Sequence, residues 1–144
     1  EACSMAEELT LNFTVPSDDF TRAGEASSAT KSTLKQLGLP ADIIRRVSIV
    51  MYEGEINMVI HAKGGEITVT VAPDHITMVL KDVGPGIPDV EKAMQAGWST
   101  ASGEARDLGF GAGMGLPNMK RCADTLDIDT TVGVGTTVTA VIRF

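Results

Sequence analysis

Alternation of apolar and polar residues along the chain predicts five strands. The first covers residues 9–15, where leucine, phenylalanine or valine stands at every second position, and it stops at Pro16. The other four alternating segments lie at 67–71, 76–80, 127–131 and 136–142. Glycines in between are typical of the turns that join such strands.

Apolar residues at a period of three to four predict helices between these strands. The strongest pattern starts near Pro40 and runs to about His61, where the following glycines end it. Weaker patterns predict helices over about 17–38, with Ser17 and Asp18 as caps, and over 88–96 and 117–126. The glycine-rich stretch 97–113 predicts a long functional loop. Together these elements predict an α+β fold, a two-layer α/β sandwich with helices on one face of a mostly antiparallel, mixed sheet.

Composition narrows the possible classes of protein. The chain has 144 residues, of which 43% are hydrophobic and 22% charged, as expected for one globular domain over residues 1–144. A net charge of -7 argues against a nucleic-acid partner, because phosphate backbones need clustered Lys and Arg. Cys3 and Cys122 form no metal or disulfide pattern, and no apolar run is long enough to span a membrane. A reduced, cytoplasmic protein without a membrane segment is the expectation.

Three polar residues share one face of the long predicted helix. Glu53, Asn57 and His61 follow one another at intervals of four residues. A carboxylate and an amide placed this way suit a general base and a ligand of Mg²⁺, which takes few protein oxygens and keeps waters and substrate phosphates. A solvated helix face with incidental spacing remains the alternative, and His61 has a structural interpretation at the helix end.

Glycines stand beside a polar side chain at the end of one predicted strand and at the start of the last one. Asp82 follows a predicted strand and precedes Gly84 and Gly86, so that a ligand can approach the backbone while the carboxylate accepts a bond from an amine. Gly135 and Thr136 open the last strand, where the hydroxyl can reach a phosphate. An ordinary turn and a threonine of high β-propensity are the respective alternatives.

Alternating glycines precede the predicted helix at 117. The stretch 109–116 reads Gly-Phe-Gly-Ala-Gly-Met-Gly-Leu, and backbone N–H groups before a helix N-terminus make a cradle for an anion. The spacing matches neither a P-loop nor a dinucleotide fingerprint. A flexible linker is the alternative, although four alternating glycines have no obvious structural use.

Taken in order, these four motifs resemble the GHKL ATPase superfamily, over roughly residues 50 to 140. The resemblance implies the Bergerat fold, bound ATP or ADP, and a lid over about 91–112. It implies that Glu53 is the catalytic base, that Asn57 binds Mg²⁺, that Asp82 reads the adenine amino group, and that Thr136 supports Asp82 or a phosphate. The implied nucleotide-binding residues are Asn57, Asp82, Gly84, Gly86, Ile87, Gly111, Ala112, Gly113, Met114, Gly115, Leu116 and Thr136. The roles of Trp98 and Arg106 in the lid stay open.

The glutamate at position 53 narrows the choice among the branches of the superfamily. Histidine kinases usually carry Asn there, and the chain has no room for their dimerisation helices, whereas Glu-x-x-x-Asn-x-x-x-His resembles the small bacterial anti-sigma and stressosome serine/threonine kinases. That branch phosphorylates a STAS-domain antagonist and exchanges partners, among them sigma factors and phosphatases. An anti-sigma binding module with little kinase activity, and an ATPase fragment of a histidine kinase, are the alternatives. The sequence leaves open whether the chain is a monomer or a homodimer.

Overall fold

The computed structural model describes residues 8–15, 24–61, 64–87 and 115–144. Within these ranges the strands are β1 Leu9–Val15, β2 Gly65–Val71, β3 His75–Asp82, β4 Thr125–Thr131 and β5 Gly135–Arg143. The helices of the same ranges are α1 Glu25–Gln36, α2 Ala41–His61 and α3 Gly115–Cys122.

The five strands form one sheet in the order β1-β2-β3-β5-β4, and all four pairings are antiparallel. β3 lies at the centre, with Leu80 opposite Val138 of β5 and Ile67 of β2. β2, β3 and β5 alternate between buried and more exposed residues, as the sequence predicted, whereas the edge strand β4 alternates between half-buried and exposed residues. The predicted α+β sandwich is confirmed, and Asp82 closes the central strand.

One face of the sheet packs on the helices and forms the core. Its side chains on β2, β3 and β5 are fully buried at several positions, with Ile67, Ile76 and Ile142 at 0% exposure. The opposite face carries half-exposed residues, many of them threonines. α2 supplies the facing apolar side chains, and both α1 and α3 pack against α2. The burial of this apolar area is the main favourable term in folding.

Gly54 lets α2 approach the sheet closely. A Cβ atom added at Gly54 would lie 2.0 Å from Cδ2 of Leu80 on β3. The glycine follows Glu53 directly, and Leu80 stands two residues before Asp82. This close contact therefore brings the polar face of α2 near the end of the central strand.

The start of α1 differs from the prediction. The helix begins at Glu25 with Gly24 as its N-cap, at φ 100°, and no side chain of the cap residue bonds to the helix. Glu55 of α2 takes that role instead, because its two carboxylate oxygens accept the backbone N–H groups of Ala26 and Ser27, each at 3.2 Å. The caps predicted at residues 17 and 18 lie outside the described residues.

The end of α3 also differs from the prediction of a helix to about residue 126. The helix ends at Cys122, and β4 begins at Thr125. The backbone N–H of Asp124 donates to the carbonyl of Val141 at 2.8 Å, which starts the pairing with β5. Sheet pairing thus outweighs the helical pattern that continues into Leu126.

The predicted helix at 88–96, the glycine-rich loop and the lid lie outside the described residues, together with Arg106 and Trp98. Among the helices that the structure does describe, none is long and apolar enough to cross a membrane.

Candidate functional site

The polar face of α2 meets the first turns of α3. Glu53 and Asn57 stand one turn apart and are both half-buried. Nδ2 of Asn118 on α3 donates to Oε2 of Glu53 at 2.8 Å. A Cβ atom added at Gly115 would lie 3.0 Å from both amide atoms of Asn57, so the glycine allows the start of α3 to reach this side chain. α3 therefore contacts both polar residues of α2.

Glu55 stands two residues from Glu53, and its carboxylate has a different task. Its side chain is buried at 3% exposure, and both oxygens accept N–H groups of α1. A charge at a helix N-terminus is favourable because the helix dipole and the free N–H groups stabilise it. Glu55 is thus a structural cap, whereas Glu53, the other glutamate of α2, uses Oε2 in its bond to Asn118 and has Oε1 for chemistry.

Asp82, at the end of β3, is half-buried beside the last strand. Its Oδ1 accepts the backbone N–H of Thr136 at 2.9 Å. Burial raises the pKa of Asp82 above its ordinary value, and the hydrogen bond from the backbone of Thr136 offsets part of this shift. Among the described residues the hydrogen bonds of Asp82 use Oδ1, so Oδ2 remains an acceptor for a ligand.

Thr136 carries its support of Asp82 through its backbone. Its hydroxyl is buried and lies 2.9 Å from the hydroxyl of Thr130, which also accepts the backbone N–H of Ile87 at 2.8 Å. The motif predicts a supporting role for Thr136, whereas Thr130 belongs to none of the four motifs. Thr130 stands next to the β4–β5 turn, and only the pairing of these strands brings it beside residues 83–87.

The loop that carries Gly84 and Gly86 lies against the β4–β5 turn. The N–H of Gly84 donates to the carbonyl of Val134 at 3.1 Å. Gly86 has φ +78°, and a Cβ atom there would lie 2.7 Å from the carbonyl oxygen of Thr131. A Cβ atom at Gly135 would lie 2.3 Å from the backbone oxygen of Asp82. These glycines are required by close backbone contacts that fix the end of the central strand.

Of the remaining residues predicted to bind the nucleotide, two lie within the described ranges and four lie outside them. Ile87 is half-buried and packs against the core, whereas Leu116 is buried at 8% exposure within it. Gly111, Ala112, Gly113 and Met114 lie outside the described residues, and their role in binding phosphates stays a prediction.

The described residues fit an adenine nucleotide and Mg²⁺. The half-buried carboxylate of Asp82 has an acceptor for an exocyclic amine, and the amide of Asn57 offers a hard oxygen. Within the described ranges no group of three or more His, Cys, Asp or Glu is placed to hold a metal. A single amide ligand agrees with an ion held mainly through waters and substrate phosphates.

Comparison with known proteins identifies the family. The profile of the histidine kinase-like ATPase domain matches residues 17–142. The chain belongs to this family. It is 30% identical over 115 residues to the serine/threonine-protein kinase RsbT of Bacillus subtilis (strain 168), covering 77% of this chain and 80% of the relative. It is 34% identical over 137 residues to the anti-sigma F factor of Thermoanaerobacter sp. (strain X514), covering 90% of this chain and 89% of the relative.

A second anti-sigma F factor, from Caldanaerobacter subterraneus subsp. tengcongensis, is 37% identical over 108 residues and is covered over 72% of its length. The resemblance that the four motifs carry is therefore confirmed for the family and for the branch of anti-sigma and stress kinases.

Proposed function

We propose that this chain is an ATP-dependent protein serine/threonine kinase that phosphorylates a STAS-domain antagonist in a bacterial sigma-factor or stress switch. The observation that carries the proposal is the half-buried carboxylate of Glu53, one turn from Asn57 and held by Asn118. A protein that only bound a nucleotide would not need a positioned base at this place. The kinase name of the Bacillus subtilis relative supports the same activity.

Adenine recognition falls to the end of the central strand. Oδ2 of Asp82 accepts the exocyclic amine, while Oδ1 is held by the backbone N–H of Thr136. The close contacts of Gly86 and Gly135 keep side chains out of this region and hold the carboxylate in place. Selectivity for adenine follows, because guanine presents a carbonyl oxygen where adenine presents its amine.

The phosphates are assigned to the other end of the site. Asn57 would hold Mg²⁺, which neutralises charge on the phosphates when bound. The glycines at 111–115 and the N-terminus of α3 would supply backbone N–H groups, as helix N-termini do for anions. The lid over about 91–112 would exclude water, which otherwise competes as the phosphate acceptor.

The chemical step is transfer of the γ-phosphoryl group to a hydroxyl. The oxygen of a partner's Ser or Thr forms a bond to the γ-phosphorus, and the bond from phosphorus to the bridging oxygen of ADP breaks. Glu53 takes the proton of the hydroxyl, so the products are ADP and a phosphoprotein. A general base of this kind contributes about 10²–10⁴-fold to the rate.

An anti-sigma factor that uses ATP mainly to set its conformation is the second candidate. It is favoured by the anti-sigma F factors that match over most of this chain, 90% in the Thermoanaerobacter protein. Under this candidate a sigma factor is the partner, with a STAS-domain protein or a phosphatase as the competitor. The two candidates differ in whether Glu53 is needed.

Transfer of labelled phosphate separates the candidates. We would incubate the chain with [γ-³²P]ATP, Mg²⁺ and each purified STAS-domain protein of the same genome, and compare it with Glu53→Gln. The native chain should label one partner, and the variant should do so about 10²–10⁴-fold more slowly. Calorimetry with Mg-ATP is the control, since Gln keeps the acceptor for Asn118 and should leave binding unchanged. Equal rates would exclude Glu53 as the base, and ATP-dependent capture of a sigma factor without labelling would support the second candidate.

A further inference from the structure

Asn118 connects the candidate base to a guanidinium group. Its Nδ2 donates to Oε2 of Glu53 at 2.8 Å. Its Oδ1 accepts Nη2 of Arg121, one turn further along α3. None of the four motifs includes Asn118, and the chain Arg121–Asn118–Glu53 is visible only in the folded structure.

The two neighbours of Asn118 determine the orientation of its amide. A guanidinium group has only donors, and an ionised carboxylate has only acceptors. The amide oxygen must therefore face Arg121, and the amide nitrogen must face Glu53. A flipped amide would place oxygen against carboxylate and nitrogen against guanidinium. The arrangement has one favourable orientation, and it directs a neutral donor at the base.

Packing keeps α3 in place under these contacts. Leu116 and Met119 stand on either side of Asn118 in the sequence and are buried at 8% and 0% exposure. Gly115 contacts Asn57 one turn before Asn118 contacts Glu53, so α3 touches α2 at both functional positions. The Nδ2 atom is thus carried by a helix whose own position is set by the core.

We propose that Asn118 is a positioning residue for phosphoryl transfer, an inference that rests on the proposed kinase function. It holds Oε2 of Glu53 and leaves Oε1 as the oxygen that takes the proton of the acceptor hydroxyl. The amide of Asn118 is neutral, so it orients the carboxylate of Glu53 by a hydrogen bond. A direct contact with Arg121 would instead form a full ion pair with that carboxylate. Because a misplacement of about 1 Å costs about 10²-fold in rate, the orientation of Glu53 matters even where binding is unchanged.

Two substitutions test this role through transfer of labelled phosphate from [γ-³²P]ATP to the STAS-domain partner that the native chain labels. Asn118→Leu removes the donor at similar volume, and we expect kcat to fall about 10–100-fold while the Kd of Mg-ATP stays within about twofold. Asn118→Asp replaces the donor by a second carboxylate beside Glu53, which Arg121 helps to keep ionised. The acid limb of its pH–rate profile should move to higher pH, because the neighbouring like charge disfavours the ionised form of the base that residue 118 contacts. Lys120→Ala, exposed on the same helix, is the matched control.

A readout independent of activity is the side-chain amide of Asn118 in ¹⁵N NMR. Its proton resonances should move on Glu53→Ala and stay in place on Lys120→Ala, because only the first change removes the acceptor.

Unchanged kcat in folded Asn118→Leu, beside a large loss in Glu53→Gln, would overturn the inference and leave the kinase function standing. A native chain that binds Mg-ATP yet neither hydrolyses it nor transfers phosphate would overturn both.

Discussion

The two ends of the candidate site are built in different ways. At the end of β3, Asp82 is held by a backbone N–H, and the surrounding turns approach so closely that Gly86 and Gly135 have no room for a Cβ atom. On α2, Glu53 is held by the side chain of Asn118 across a helix pair. The proposed adenine end is thus part of the backbone framework, whereas the proposed catalytic end consists of side chains added to it.

This difference separates stability from activity. Changes that add atoms at Gly86 or Gly135 of the proposed adenine end should disturb the fold, because close backbone contacts between β3, β4 and β5 depend on these glycines. Changes at Glu53 or Asn118 should alter the rate and leave stability nearly intact, since half-exposed polar groups can return to water. A site that must distinguish adenine from other nucleobases becomes more selective when it is rigid. A general base that must accept a proton works better on a side chain that can adjust its position.

The largest expected effect is on stability at Gly135. Gly135→Ala places a methyl group 2.3 Å from the backbone oxygen of Asp82, and overpacking of this kind costs about 3 kcal/mol. Gly133→Ala in the same turn is the control, because no atom lies within 4 Å and only its φ of +85° opposes the change, at about 1 kcal/mol. Urea unfolding measures both. Equal losses would show that close packing at Asp82 is not what requires the glycine.

A smaller effect is expected at Thr130. Thr130→Val keeps the shape but removes the oxygen that accepts the N–H of Ile87 and contacts the hydroxyl of Thr136, which should cost about 1–2 kcal/mol. Thr68→Val removes an exposed bond to Asn12 and should change stability by less than about 0.5 kcal/mol. Thermal unfolding compares the two variants. A Thr130 variant as stable as the Thr68 variant would contradict the role of this hydroxyl in holding the loop.

The smallest expected effect is the change in stability with pH that comes from the titration of Asp82. Burial raises its pKa in the folded chain, so stability from this group falls as pH rises from the ordinary Asp value through the raised one. Asp124 behaves oppositely, because the backbone N–H of Arg143 lowers its pKa, and its contribution is lost as pH falls from the ordinary Asp value through the lowered one. Carboxyl ¹³C NMR should show Asp82 titrating above Asp124. The reverse order would contradict the burial of Asp82.

Periodicity in the sequence predicted the sheet and the long helix, because alternation and helical spacing report directly which face is buried. The first strand is confirmed over residues 9–15, and α2 ends at His61 as predicted. Motif spacing also singled out Glu53 and Asn57, which the structure places one turn apart on α2, and Asp82, which it places at the end of β3.

Contacts between distant segments were not predictable in the same way. Glu55 caps a helix 28 and 29 residues earlier in the chain, and its only local sign is that Gly24 offers no side-chain cap. Asn118 reaches Glu53 across 65 residues, and its position within α3 resembles any polar surface residue. These long-range contacts depend on how the helices pack against one another, and the spacing of residues along the chain does not predict that packing.

Calorimetric titration of Mg-ATP and Mg-ADP into the native chain and Asp82→Asn tests the central claim most directly. Asn keeps an oxygen for the N–H of Thr136 and removes the charge that burial disfavours, so the variant should be at least as stable as the native chain. Its amide can present a donor to the adenine amine in place of the carboxylate acceptor, and nucleotide binding should be lost. A stable variant that binds Mg-ATP as tightly as the native chain would contradict adenine recognition by Asp82.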